Sequence, residues 1–569
     1  MNSNTVSLFL PSELKADSWN SLKAYFEDLA SRPIISLHEL EIWLLNRSEL
    51  EAITQEELGW RYIKSTCDTS DIAKQEALDY FISEVEPKLV EYNDILNRKI
   101  LNCSFTTELD KDLYGIYLRG ISKEVELYRP ENVPIQTELQ KLSNEYGRIS
   151  GAMSVEIDGQ TVTFQTAANL LKSEDRELRK SVYEKINRRR QQDREKLESL
   201  FDQMLELRHK MATNAGYENF RDYMFDALGR FDYTPAHCED FHQSIEKFIV
   251  PIVDKFDLER RTKLGYEQLF PWDTEVDTDK KPALKPFSSS DELIEKTIEC
   301  FRRIRPDYSN VISLMQEKGH LDLDSRLGKA PGGYNYPLHK SSLPFIFMHA
   351  TGSLRDMVTM MHEGGHALHS WLSKDLKLNG FKQMPSEIAE VASMAMELIS
   401  MDHWEVFFDQ PEELIRAKRY QLEKILSILP WIASVDAFQH WIYTHPKHSR
   451  LEREQTWKSI TKRFAGSIMN RSVFPEFESH SWHRQLHIFE VPFYYIEYGI
   501  AQLGAIGIWK NFKTNPEFAL DQYEKALSEG YLFSLPNLYQ HAGVKFDFSP
   551  EYVKELADMV SVELYSLKT

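Results

Sequence analysis

Apolar residues recur every three to four positions along most of the chain, set among charged ones. The stretches 12–30, 48–64, 70–100, 108–127, 173–213, 237–265, 290–316 and 411–441 carry this spacing, and each predicts amphipathic helix. Alternation of period two is rare. Residues 155–164 alternate around Asp158-Gly159, a hairpin signal. A second extended candidate runs through 332–337 and 344–350, and the Pro-, Asp- and Ser-rich segment 271–291 is the clearest loop. The run Arg188-Arg189-Arg190 sits in a heavily charged helical stretch and reads as a solvated face. The pattern predicts a mainly α fold with little sheet.

One helical stretch carries chemistry. His362-Glu363-Gly364-Gly365-His366 lies within 356–372, where Val358, Met361, Gly365, Leu368 and Leu372 recur at helical spacing and Asp356 suits the N-terminal dipole. Two histidines four apart on a helix point the same way and can reach one metal ion. The intervening Glu363 is rotated off that line and can touch a water on the metal. This is the arrangement of a zinc hydrolase. The alternative is a buried helix whose histidines are satisfied by hydrogen bonds. Each glycine costs about 1 kcal/mol against alanine inside a helix, so the Gly364-Gly365 pair predicts close approach of a strand or of substrate.

A third donor must come from elsewhere. His369 shares the face of His362, but seven residues at about 1.5 Å each separate them by roughly 10 Å along the axis. Zinc bonds of about 2.1 Å cannot join those ends, so His369 is an outer neighbour of the site or a packed residue. The helix predicted from Pro385 to Ser400, with Ser386 as its cap, lines Glu387, Glu390 and Glu397 along one face amid Ile, Val, Ala and Met. Three carboxylates on an otherwise apolar face are costly to bury without a cation or donors. Together with the histidines they make a His, His, Glu site the favoured reading.

The 569 residues and 42% hydrophobic content allow a large core, and a net charge of −20 disfavours nucleic acid and anionic membranes as partners. Cys67, Cys103, Cys238 and Cys300 are scattered, form no metal-binding pair and argue against a disulfide scaffold. The first eleven residues show no leader pattern and no stretch approaches a membrane span, so a cytoplasmic protein is expected. Late in the chain, His487, Tyr494, Tyr495 and Tyr498 lie close together. Neutral phenols and imidazoles suit a developing oxyanion; a Tyr-rich amphipathic helix is also a common core element.

Taken in order, these motifs resemble the thimet oligopeptidase and oligoendopeptidase F family of zinc peptidases, and more closely its oligoendopeptidase F branch. The resemblance is carried by His362 to His366 with His369 beyond, Glu390-Val-Ala-Ser393-Met-Ala-Met-Glu397, and Trp482 and His487 ahead of 492–498. Residues 328–334, 344–352 and the hairpin around Asp158-Gly159 add to it. The match covers scattered points from about 150 to 500; the first hundred residues share only their helical pattern. Gly364 stands where the family often has a bulkier residue.

The resemblance implies that His362, His366 and Glu390 bind one zinc ion per chain and that Glu363 is the general base. It implies that Glu397 orients a ligand histidine, and that His487 with Tyr498 or Tyr495 binds substrate and the oxyanion. It implies a two-lobed helical shell around a deep channel with a small sheet beside the metal helix, and cleavage of internal bonds of short peptides. The strand at 345–350 is expected to pair with extended substrate. The domains expected are an N-terminal helical region, 1–190, with the hairpin near 154–165, and a catalytic region, 191–569. The competing classes are a metallocarboxypeptidase on a related fold and a non-catalytic peptide-binding scaffold; an intact Glu363 argues against the scaffold.

Overall fold

The amphipathic stretches are helices, and several run longer than their spacing predicts. The computed structural model describes residues 9–330 and 332–567; the start of the N-terminal segment read for a leader, and Pro331 of the 328–334 motif, lie outside the described residues. The stretch 48–64 is the middle of a 31-residue helix, Leu37–Cys67. The first helix begins at Trp19 and not near residue 12, with Ser18 and Ser21 forming its capping pair. Within 70–100, Ile72–Tyr80 and Glu86–Asn102 flank a π-helical turn, Phe81–Val85. The same device, Ile245–Ile249, precedes the helix Val250–Leu264. Each π turn stands just before a proline, whose missing N–H and bulky ring force the preceding turn to widen.

Two small sheets interrupt the helices. Ser154–Ile157 and Gln160–Thr163 pair antiparallel, with Ile157 opposite Gln160. Asp158 and Gly159 take φ of 51° and 77°, the left-handed pair that a tight hairpin turn requires. The second sheet has Phe345–Ala350 in the centre, parallel to Leu321–Asp324 and antiparallel to Tyr334–Tyr336. Leu321–Asp324 has no sequence signal because four residues are too few to display a period. Its presence corrects one expectation: Ile346 and Phe347 are paired on both sides. At Ile346 and Phe347 the strand therefore has no edge to offer a substrate.

By contacts the chain forms two compact units. One comprises the chain up to Tyr128 with Leu284–Ala417 and Gly504–Phe546; the other comprises Arg129–Ala283, Lys418–Leu503 and the chain from Asp547. These units are discontinuous in sequence and do not follow a single division at residue 190. The three-stranded sheet belongs to the first unit and the hairpin to the second. Among the described residues no helix is long and apolar enough to cross a membrane.

The centre of the first unit is a crossing of two helices, Leu354–Leu372 and Ser386–Ser400. Ser353 caps the first: its hydroxyl accepts from Asp356 N, and Asp356 accepts in turn from the backbone of Ser353 and Thr351. Met357, Met360, Met361, Ala367 and Leu368 are buried, while Val358 and Leu372 are only half-buried. The second helix departs from expectation at its start, because Pro385 is the N-cap and Ser386 is already helical, with no side-chain cap.

The glycine pair is explained by helices, not by a strand or substrate. A Cβ at Gly365 would stand 2.6 Å from Ser393 Cα and 2.8 Å from the Ala392 carbonyl oxygen. A Cβ at Gly364 would meet the tip of the buried Phe301 ring at 2.6 Å, so Phe301 fills the space of the bulkier residue common at this position. Backbone cannot yield as a ring tip can. Gly365→Ala is therefore expected to destabilise by about 2 kcal/mol or more, whereas at Gly364 the helix-propensity gain of about 1 kcal/mol offsets most of the clash. Urea unfolding of the two variants measures this, and equal midpoints would contradict the backbone contact at Gly365.

Candidate functional site

The crossing at Gly365 brings three donors together. His362 and His366 are one turn apart, with ring centroids 4.9 Å apart and planes at 84°. Glu390 reaches across from the second helix, its Oε2 3.3 Å from His362 Nε2 and 3.8 Å from His366 Nε2. One donor atom from each of the three lies within 4.8 Å of the other two. A tetrahedral ion with bonds of about 2.1 Å spaces its donors roughly 3.4 Å apart, so small side-chain movements fit the set to one ion. Two imidazoles and a carboxylate are a donor set suited to zinc.

The surroundings fix how these donors are presented. Ser393 Oγ lies 3.3 Å from Glu390 Oε2. Glu397 Oε1 is 2.7 Å from His362 Nδ1, and a carboxylate there places the proton on Nδ1. In the neutral ring the Nε2 lone pair would then face the Glu390 carboxylate, an opposition that a cation between them, a proton or a metal ion, resolves. Burial alone would lower the proton affinity of His362; the hydrogen bonds and charges of Glu390 and Glu397 outweigh it and hold its pKa well above the usual value. Burial moves His366 the other way, to about 4, so that ring is neutral at physiological pH.

Glu363 is buried beside the histidines, and burial pushes its carboxyl up to about 7. Its backbone carbonyl accepts from Asn335 Nδ2 at 3.1 Å, which ties the helix to the edge strand of the sheet. Glu387 is buried but outside the three-donor set. His369 is likewise outside it, 2% exposed, and Nε2 has no hydrogen-bond partner among the described residues. Burial pushes that imidazole down to about 3.

The second unit gathers the other residues singled out in the sequence. His487, on the short helix Leu486–Glu490, lies 4.7 Å from the Tyr495 ring, 5.9 Å from Tyr498 and 6.0 Å from Tyr494, centroid to centroid. Tyr495 opens the helix Tyr495–Thr514, so Tyr494 stands just ahead of it. Burial pushes the Tyr495 phenol up to about 12, which keeps it a proton donor. Phe493 holds the approach to this helix in a left-handed conformation, φ 68°. Its N–H donates to Gln439 Oε1 at 2.8 Å and its carbonyl accepts from Arg230, which also pairs with Glu497.

Sequence reasoning missed two residues here. Trp431 Nε1 can only donate, and does so to Gln485 Oε1 at 2.8 Å. The Gln485 amide nitrogen must then face His487 Nδ1, 2.6 Å away, and donate to it. The proton of neutral His487 is therefore on Nε2, which makes that nitrogen a donor. Gln485 is two residues before His487, but nothing local points to Trp431.

Comparison with known proteins shows the family. The profile of peptidase family M3 matches residues 169–558, and that of the peptidase M3 N-terminal domain matches 9–128. The chain belongs to peptidase family M3. An oligoendopeptidase F homolog of Borreliella burgdorferi is 23% identical over 385 residues, 66% of this chain and 63% of that protein. The chain's match thus spans less than two thirds of that relative's length. Oligopeptidase PepF of Bacillus subtilis is 20% identical, over 80% of this chain and 69% of its own. The solved structure of PZ peptidase A with an inhibitor superposes with a TM-score of 0.90 at 26% identity, covering 97% of this chain and 98% of that one. A putative oligoendopeptidase F gives the same TM-score at 24% identity, with 98% of both chains covered, a likeness of fold. The mainly helical architecture with small sheets is that of M3 peptidases.

Within this M3 fold Glu397 touches a donor without being one of the three. Glu397→Ala is expected to weaken zinc affinity about 10- to 100-fold without abolishing binding. Competition against a chromophoric chelator measures it, and unchanged affinity would exclude an orienting role.

Proposed function

We propose that this M3 peptidase is a zinc-dependent oligoendopeptidase that hydrolyses internal bonds of short peptides. The observation that carries the reading is the convergence of His362, His366 and Glu390, with Glu397 behind His362 and Glu363 buried alongside. The names of its relatives, oligoendopeptidase and oligopeptidase, support the substrate class.

His362, His366 and Glu390 would hold zinc, one ion per chain. Bound there, zinc supplies Lewis acidity toward the scissile carbonyl and toward water. Glu363 is assigned the proton transfers: it accepts a proton from the attacking water and delivers it to the leaving amine. His487, with Nε2–H presented by the Gln485 and Trp431 chain, donates to the oxyanion, and Tyr498 and Tyr495 are further donors to substrate. His369, one turn beyond His366 on the same helix, is buried outside the donor set and is assigned a supporting place beside the site.

We assign the protein to the cytoplasm, supported by its four cysteines, none of them in a disulfide, and by its acidic charge.

A mixed peptide library, read by mass spectrometry, tests the proposal. Wild type is expected to cut internal bonds of C-terminally blocked and unblocked peptides alike and to stop when zinc is chelated. Glu363→Gln is expected to retain zinc and lose about 1,000-fold or more in kcat. Removal of single C-terminal residues from unblocked peptides alone would assign a carboxypeptidase instead, and wild-type rates in Glu363→Gln would refute the proton-transfer role.

A further inference from the structure

The helices Pro235–Ser244 and Leu429–Thr444, both in the second unit, each carry two donor residues one turn apart. Cys238 and His242 lie on the first, Asp436 and His440 on the second. The peptidase reading uses none of them. Donor atoms of Cys238, Asp436 and His440 all lie within 4.8 Å of one another. The three residues are 1%, 0% and 7% exposed. Asp436 Oδ2 is 2.8 Å from His242 Nε2 and 3.2 Å from His440 Nε2.

A simple buried His–Asp pair accounts for only part of this cluster. It satisfies His242 and one carboxylate oxygen. Among the described residues, Asp436 Oδ1 and His440 Nδ1 have no hydrogen-bond partner, and His440 Nε2, though 3.2 Å from Asp436 Oδ2, lacks the alignment of a hydrogen bond. The His440 ring is packed against Phe225 and Phe493, at 5.9 Å and 5.4 Å, and neither offers an acceptor. Buried polar atoms in this condition are rare in native proteins, because each forfeits its hydration without recompense. The Cys238 thiol adds a third donor atom, of a type that binds transition metals, at the same point.

We propose that Cys238, Asp436 and His440 bind a second divalent transition-metal ion, of the zinc class, with His242 held against Asp436 as its outer partner. Thiolate and carboxylate supply two negative charges that a divalent cation balances, and the imidazole supplies a neutral donor. A sulfur and nitrogen set selects zinc over magnesium or calcium. The ion fastens Pro235–Ser244 to Leu429–Thr444. Gln439, on the second of these helices, accepts from the N–H of Phe493, the left-handed residue that leads into Tyr494 and Tyr495. The site thus braces the segment that presents the tyrosines, and it stands independently of the zinc assignment in the first unit.

The test uses full-length His362→Ala/His366→Ala protein, which lacks two donors of the first site. After equilibration with zinc and dialysis, elemental analysis is expected to find about one zinc per chain in this variant and about two in wild type. Cobalt added to the double variant is expected to give a thiolate-to-metal charge-transfer band, and both zinc and band are expected to vanish when Cys238→Ser is added. Circular dichroism establishes that each variant is folded. A folded double variant with no zinc and no thiolate band would overturn the proposal, whether or not the Cys238→Ser protein folds. So would a band that persists in folded Cys238→Ser protein.

Discussion

The first unit turns on a contact without side chains. At Gly365 the helix Leu354–Leu372 lies against the backbone of Ala392 and Ser393, closer than any residue with a Cβ permits. That approach brings Glu390 within 3.3 Å and 3.8 Å of two histidine nitrogens on the facing helix. A methyl group of separation would leave the same residues present and the donor set open. The helix-propensity cost of glycine, about 1 kcal/mol, is thus set against the geometry on which the proposed metal site depends. Phe301 fills the remaining space at Gly364.

Electrostatics completes what packing begins. Glu390 and Glu397 both approach His362, one at each ring nitrogen. Such a pair of carboxylates is tolerable in a buried setting only around positive charge. The arrangement orients the imidazole and favours a cation at Nε2. The second unit uses a parallel logic with neutral groups. Trp431, which can only donate, sets the Gln485 amide, and the amide sets the His487 proton. In both units the histidine is oriented by a neighbour whose own hydrogen-bonding options are limited.

Local features of the site and fold were legible because they depend on short spacings. The His362 and His366 pair, the face shared by Glu390 and Glu397, and the Asp158-Gly159 hairpin follow from helical or strand periodicity. The reason for Gly364 and Gly365 was not legible, since Gly365 approaches backbone 27 residues or more further along the sequence and Gly364 approaches the Phe301 ring, 63 residues upstream. Leu321–Asp324 was too short to announce itself, and without it the strand Phe345–Ala350 looked available for pairing. Trp431 lies 54 residues from Gln485. Cys238 with His242, and Asp436 with His440, were visible only as unrelated pairs until the fold set their helices together.

The claim that most of this rests on is that His362, His366 and Glu390 share one ion. Anomalous diffraction at the zinc absorption edge, from crystals of the zinc-loaded protein, measures it directly. The account predicts a peak within bonding distance, about 2.1 Å, of His362 Nε2, His366 Nε2 and a Glu390 carboxylate oxygen. Zinc bound in the first unit by other residues, or no peak there in a catalytically active crystal, would contradict it.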